Sequence, residues 1–129
     1  MSIAHRILVV EDECILAENI KTFLARLSPD VRIAANGPRA MEIIENCTPD
    51  MVVLDYGLPG GNGLQLYREL LRSRARPIGC VMITGYPLEK IAQPANRLGI
   101  RHFLCKPFGL SELQQLVDLS AAEASGYAH

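Results

Sequence analysis

Residues 51–63 read Met51-Val52-Val53-Leu54-Asp55-Tyr56-Gly57-Leu58-Pro59-Gly60-Gly61-Asn62-Gly63. A short apolar run stops at a carboxylate and gives way to a turn of glycine and proline. A run this short and apolar throughout reads as a strand buried on both faces, the usual state in a parallel sheet. Ile7-Leu8-Val9-Val10 and Cys80-Val81-Met82-Ile83 repeat the pattern on either side, and Phe103-Leu104-Cys105 is a shorter version. Val31-Arg32-Ile33-Ala34 differs, because Arg32 interrupts it. That alternation suits an edge strand.

Helical periodicity fills the intervals. Leu16, Ile20, Phe23, Leu24 and Leu27 fall on one helix face, and Ala40, Ile43, Ile44 and Cys47 on a shorter one. Leu66, Leu70 and Leu71, with Leu64 near the start, make a third face, and Leu110, Leu113, Leu116 and Val117 the last. Ser28-Pro29-Asp30, Thr48-Pro49-Asp50 and Arg76-Pro77 end helices, while Gly37-Pro38 opens one. The segment from Leu88 to Gly99 is weaker. Pro94 within it cannot donate to the Lys90 carbonyl, so this helix is expected to be kinked, short or late. Five strands alternating strictly with five helices give an α/β fold, a single doubly wound parallel sheet with helices on both faces. The expected domain spans 1–120, and 121–129 is expected to be a frayed tail or the start of a linker.

Composition limits what such a domain does. The chain has 129 residues, 49% hydrophobic and 21% charged, which is enough for one packed core and excludes disorder as the main state. A net charge of −1 leaves no basic footprint for direct nucleic-acid binding and no polybasic patch for a membrane. No apolar run approaches the roughly 20 residues that span a bilayer, and residues 1–5 do not read as a signal peptide. A cytoplasmic location is expected. Cys14, Cys47, Cys80 and Cys105 form no Cys-x-x-Cys pair and are expected to be buried free thiols in a reducing compartment. His5, His102 and His129 lack metal-site spacing and read as surface residues.

In a sheet of this kind ligands bind beyond the carboxyl ends of the strands. The first strand ends in Glu11-Asp12, the third in Asp55, the fourth in Thr84 and the fifth in Lys106. Three carboxylates in one cleft repel one another unless a cation neutralises them, and a hard divalent ion with oxygen ligands meets that demand. Mg²⁺ fits best, with Mn²⁺ as the alternative. Thr84 and Lys106 offer donors to an anion. Metal, nucleophilic carboxylate, hydroxyl and ammonium together are what phosphoryl transfer requires, with Asp55 attacking in line. Each residue alone has a plain explanation: Asp12 as a helix cap, Thr84 as a turn residue, Lys106 as solvated surface. Their joint occurrence at four strand ends does not.

The motifs Leu8-Val9-Val10-Glu11-Asp12-Glu13, Val53-Leu54-Asp55-Tyr56-Gly57-Leu58-Pro59 closed by Gly63, Ile83-Thr84-Gly85 and Phe103-Leu104-Cys105-Lys106-Pro107-Phe108 occur in this order. In them the chain resembles the receiver domain of bacterial two-component response regulators, over roughly Ile7 to Val117. The resemblance implies a flavodoxin-like sheet in the order 2-1-3-4-5. It implies that Asp55 accepts a phosphoryl group from a sensor histidine kinase or histidine phosphotransfer protein. It implies that Asp12, Asp55 and the Gly57 carbonyl bind Mg²⁺, with Glu11 acting through water. It implies that Thr84 and Lys106 are the catalytic contacts to the phosphoryl group, and that Thr84 and Phe103 form the switch. Gly57 and Tyr86 stand where receivers modulate loss of the acyl phosphate, and the Lys106–Pro107 bond is often cis in the family.

The implied function is a phosphorylation-controlled switch, not an enzyme with external substrates, that catalyses its own phosphotransfer and dephosphorylation. Its output surface would be helix 4, strand 5 and helix 5, meeting an output domain, a target protein or a second copy as a homodimer. Two alternatives compete. A phosphorylation-independent interaction module of the same fold is disfavoured by the presence of Asp55, Thr84 and Lys106. An Asp-nucleophile phosphohydrolase of the haloacid-dehalogenase type wants a second Asp two positions on, where Gly57 stands.

Overall fold

The computed structural model describes residues 6–72 and 78–124. Ten elements alternate: β1 (Arg6–Val10), α1 (Cys14–Leu24), β2 (Asp30–Ala34), α2 (Gly37–Asn46), β3 (Met51–Asp55), α3 (Gly63–Arg72), β4 (Gly79–Thr84), α4 (Leu88–Arg97), β5 (His102–Cys105) and α5 (Leu110–Ala124). The five strands form one parallel sheet in the order β2-β1-β3-β4-β5. The three all-apolar runs are the three central strands, and the Arg32 strand is at an edge, as the burial pattern of each demands.

Side-chain alternation along the strands divides the core in two. Leu8, Val10, Val52, Leu54, Cys80 and Met82 pack with Ile43, Ile44, Tyr67, Leu70, Ile91 and Ala95 from α2, α3 and α4. Ile7, Val9, Met51, Val53, Val81 and Ile83 pack with Ile20, Leu24, Leu113 and Val117 from α1 and α5. Buried apolar area is worth about 25 cal/mol per Å², so this two-sided burial fixes both the strand order and the register. Register aligns the functional ends: Val10 pairs with Leu54, Asp55 with Ile83, and Thr84 with Cys105. All five carboxyl ends therefore open on one edge.

Several expectations need correction. α4 is not short or late: it runs ten residues, as α2 and α3 do, with Pro94 inside. Pro94 is exposed, so its ring faces solvent and water can satisfy the Lys90 carbonyl that it leaves without a helical donor. Gly99, at φ +94°, terminates the segment in a conformation that favours glycine. The tail does not fray from residue 121. α5 continues to Ala124, with Ala121 in the core, while 125–129 lie outside the described residues. Buried Ser120 locks this turn, because its hydroxyl accepts from the Cys80 amide (2.8 Å) and donates to the Cys80 carbonyl (3.2 Å).

The four cysteines are free, but only Cys80 is buried; Cys14 and Cys105 are exposed and Cys47 is half-buried. Burial pushes the Cys80 thiol above its ordinary range. His102 is not a plain surface residue, since it lies 2.9 Å from Glu123 on α5. His5, His129 and the Arg76-Pro77 helix stop lie outside the described residues. Among the described residues no helix is long and apolar enough to cross a membrane.

Candidate functional site

The end of β1 delivers Glu11, whose amide donates to the Ala34 carbonyl of β2 (3.0 Å). That bond extends the ladder and turns the Glu11 carboxylate inward, where it is 1% exposed. Asp12 follows and is exposed. It does not cap α1: the N-cap position belongs to Glu13, which makes no side-chain cap bond. Asp12 is thereby left to the cleft. Asp55, at the end of β3, is 5% exposed, and its Oδ1 accepts from the Gly57 amide (3.1 Å). One oxygen from each of Glu11, Asp12 and Asp55 lies within 4.8 Å of the others.

Lys106 enters from the other side. Its amide donates to the Thr84 carbonyl (2.8 Å), and the bond to Pro107 is cis. The ammonium lies 3.1 Å from Asp55 Oδ2, 3.2 Å from Glu11 Oε1 and 2.8 Å from Glu13 Oε1. The approach to Glu11 is close enough for charge attraction but lacks hydrogen-bond alignment. Glu11 Oε1 is thus a buried acceptor without a donor among the described residues, while Oε2 takes the Glu13 amide (3.0 Å).

The electrostatics follow from this crowding. Burial pushes the Glu11 carboxyl up to about 7; the Glu13 amide opposes that shift, the Asp55 charge adds to it, and Lys106 opposes it. Burial acts to lower the Lys106 ammonium, but its hydrogen bonds to Glu13 and Asp55, with the Asp55 charge, outweigh this and hold it above its ordinary range. One half-buried ammonium among four carboxylates leaves excess negative charge. An oxygen-only cluster with an orphaned buried oxygen fits a hard divalent cation better than it fits an empty cleft. Glu11, Asp12 and Asp55 are the residues that could hold it.

Thr84 is fully buried at the end of β4. Its Oγ1 accepts from the Tyr86 amide (2.8 Å), while its own proton reaches the Tyr86 carbonyl only at 3.4 Å. The hydroxyl is anchored as an acceptor and loosely engaged as a donor, which suits it to a new anionic partner. Phe103 is half-buried and packs against the cluster that holds Met82 and Ile91. The Tyr86 ring is 55% exposed and meets the Tyr56 ring edge-on at 5.2 Å. A Cβ at Gly57 would touch it at 3.5 Å, so Tyr86 stands beside the turn that follows Asp55.

Glu11, Asp12, Asp55, Gly57, Thr84, Tyr86 and Lys106 lie at this edge of the sheet, whereas Phe103 sits within β5, opposite Met82. Two further participants do not stand out in the sequence. Tyr56 is identified only by its ring contact. Glu13 had one local sign, a third consecutive acid at a helix start, where Glu is a poor cap.

The response regulator receiver domain family pattern matches residues 7–118. Transcriptional regulatory protein QseB of Escherichia coli O157:H7 is 30% identical over 95% of this chain and 56% of its own length. The alkaline phosphatase synthesis transcriptional regulatory protein SphR of Synechococcus elongatus is 36% identical over 85% of this chain and 46% of its own. The chain thus spans about half the length of these relatives. Among solved structures, NtrX from Brucella abortus superposes with a TM-score of 0.86 at 28% identity, covering 99% of this chain and 28% of that one. A CheY-like receiver domain protein from Methanospirillum hungatei gives the same TM-score, 0.86, at 24% identity, over 95% of this chain and 98% of that one, and supports the fold. With its sheet order, its strand-end acids and a family match over nearly the whole chain, this protein belongs to the response regulator receiver domains.

Proposed function

We propose that the chain is a signalling switch that accepts a phosphoryl group on Asp55 from a sensor histidine kinase or a histidine phosphotransfer protein. The observation that carries this reading is the convergence of Lys106 Nζ, 3.1 Å from Asp55 Oδ2, with three carboxylates within 4.8 Å of one another. In the transfer, an Asp55 oxygen bonds to phosphorus as the bond from phosphorus to the donor nitrogen breaks. The electron pair leaves on the donor imidazole. Lys106 faces the incoming anion, and Thr84 offers its loosely engaged proton. Glu11, Asp12 and Asp55, with the Gly57 carbonyl, would hold Mg²⁺ or Mn²⁺, which when bound offsets charge on the phosphoryl oxygens. Gly57 leaves no carboxylate for turnover of external substrates, which argues against a phosphohydrolase.

Relief of the carboxylate repulsion should stabilise the fold. At a Mg²⁺ concentration ten times its Kd the gain is about 1.4 kcal/mol, or roughly 3–6 °C in melting temperature. Thermal unfolding of wild type and Asp12→Ala with and without Mg²⁺ checks this. The variant should show little or no shift, and an equal shift in both would remove Asp12 from the site.

A phosphoryl group on Asp55 draws the Thr84 hydroxyl toward it, since a charge-assisted bond is roughly twice as strong as a neutral one. The space vacated admits the Phe103 ring, and the surface of α4, β5 and α5 changes. That surface would meet an output domain, a target or a second copy. A coupling of about 1–3 kcal/mol is enough to bias it between two arrangements. Amide hydrogen exchange with Mg²⁺ and beryllofluoride, a phosphoryl mimic, tests the switch. Changes should concentrate between Thr84 and Phe108 and be suppressed in Thr84→Ala. Changes confined to Val31–Cys47 would exclude this route.

A further inference from the structure

Glu13 occupies an unusual position for its chemistry. It is the N-cap of α1, and its carbonyl accepts the Ala17 amide (2.9 Å), yet its side chain caps nothing. Its amide donates to Glu11 Oε2 (3.0 Å), which fixes the Glu13 backbone against the site. Its carboxylate, though exposed, reaches across 93 positions to Lys106 at 2.8 Å, the shortest of the three contacts that this ammonium makes. The other two partners, Glu11 and Asp55, are almost fully buried and held by backbone amides. Glu13 is the partner free to let go.

We propose that Glu13 is a positioning residue: it holds the Lys106 ammonium at the rim of the cleft and competes for it with a phosphoryl group on Asp55. The proposal rests on the reading of Asp55 as the phosphoryl acceptor. Of the ammonium's three donors, two are bonded to Glu13 and Asp55, while Glu11 Oε1 attracts it at 3.2 Å without a hydrogen bond. A phosphoryl group brings new anionic oxygens on the Asp55 side, and an ammonium drawn onto them leaves the position in which Glu13 holds it. The exposed Glu13 pair is the cheapest to break, because exposed ion pairs contribute only about 0–1 kcal/mol. The contact therefore favours the unphosphorylated state by a small, fixed amount. Removing it shifts the balance toward the phosphorylated state without disturbing the buried acids.

The test is calorimetric titration with beryllofluoride in saturating Mg²⁺, using wild type, Glu13→Ala, Glu13→Asp and Glu18→Ala. Glu13→Ala removes both charge and contact. Glu13→Asp keeps the charge and withdraws it from Lys106 by one methylene. Glu18→Ala removes a nearby exposed charge that has no contact with Lys106. Since the Glu13 side chain makes no cap bond, neither Glu13 variant loses a helix cap, and thermal unfolding confirms that each is folded. Both Glu13 variants should bind the mimic roughly two- to fivefold more tightly than wild type, with Glu18→Ala unchanged. Wild-type affinity in Glu13→Asp, or an equal gain in Glu18→Ala, would overturn the proposal in favour of diffuse charge. If wild type fails to bind beryllofluoride at all, the reading of Asp55 falls, and the Glu13 proposal with it.

Discussion

Asp55→Asn will abolish phosphoryl uptake. Wild type incubated with Mg²⁺ and acetyl phosphate should gain the mass of one phosphoryl group, and the variant should gain none. The group should be labile to hydroxylamine and base, as an acyl phosphate is. The reason is local chemistry. An amide oxygen carries no charge to attack phosphorus and no counter-charge for the Lys106 ammonium now 3.1 Å from Oδ2. The loss should be complete, because Glu11 is buried and bonded to the Glu13 amide, and cannot replace Asp55 in line. Retention of the phosphoryl group in the variant would remove Asp55 from the nucleophilic role.

Gly63→Ala should carry the largest cost to the fold. Gly63 starts α3, and its amide donates to the Tyr56 carbonyl (2.8 Å). A Cβ there would lie 2.7 Å from the Asp55 carbonyl oxygen, 3.1 Å from Met82 Cε and 3.2 Å from Leu54 Cγ. The first contact is with backbone of the central strand, so either α3 or the end of β3 must shift. Overpacking of this kind costs about 1–3 kcal/mol, roughly 4–11 °C in melting temperature. Because the clash falls on Asp55 itself, phosphoryl uptake should drop as well. Gly37→Ala is the matched control: nothing lies within 4 Å of its Cβ position, and it should melt near wild type. Equal melting temperatures for the two variants would show that α3 is not seated on β3 as described.

The legibility of the sequence followed burial. β1, β3 and β4 are covered on both faces, so their runs are apolar throughout and end where the chain leaves the core. The first polar residue after each run marks the ligand edge, which is why Glu11, Asp55 and Thr84 could be found without coordinates. Lys106 followed from the same rule applied to β5. α4 was harder to read, because a proline inside a helix argues for a break unless its ring faces water, and exposure is a tertiary property. The end of α5 was obscured by small residues. The residues from Ala121 on read as a small, polar tail, but the Ser120 bonds to Cys80 across 40 positions and the burial of Ala121 carry the helix on to Ala124. Glu13 shows the same limit in the site: nothing local to residues 11–14 reports a partner at residue 106.

The most direct measurement of the central claim is chemical mapping of the modified residue. Wild type treated with Mg²⁺ and acetyl phosphate, then reduced with borohydride, converts an aspartyl phosphate to homoserine, which tandem mass spectrometry locates. Homoserine should appear at position 55 alone, and none when Mg²⁺ is withheld. Homoserine at position 12, or a borohydride-resistant phosphoryl group on a serine or threonine, would contradict it.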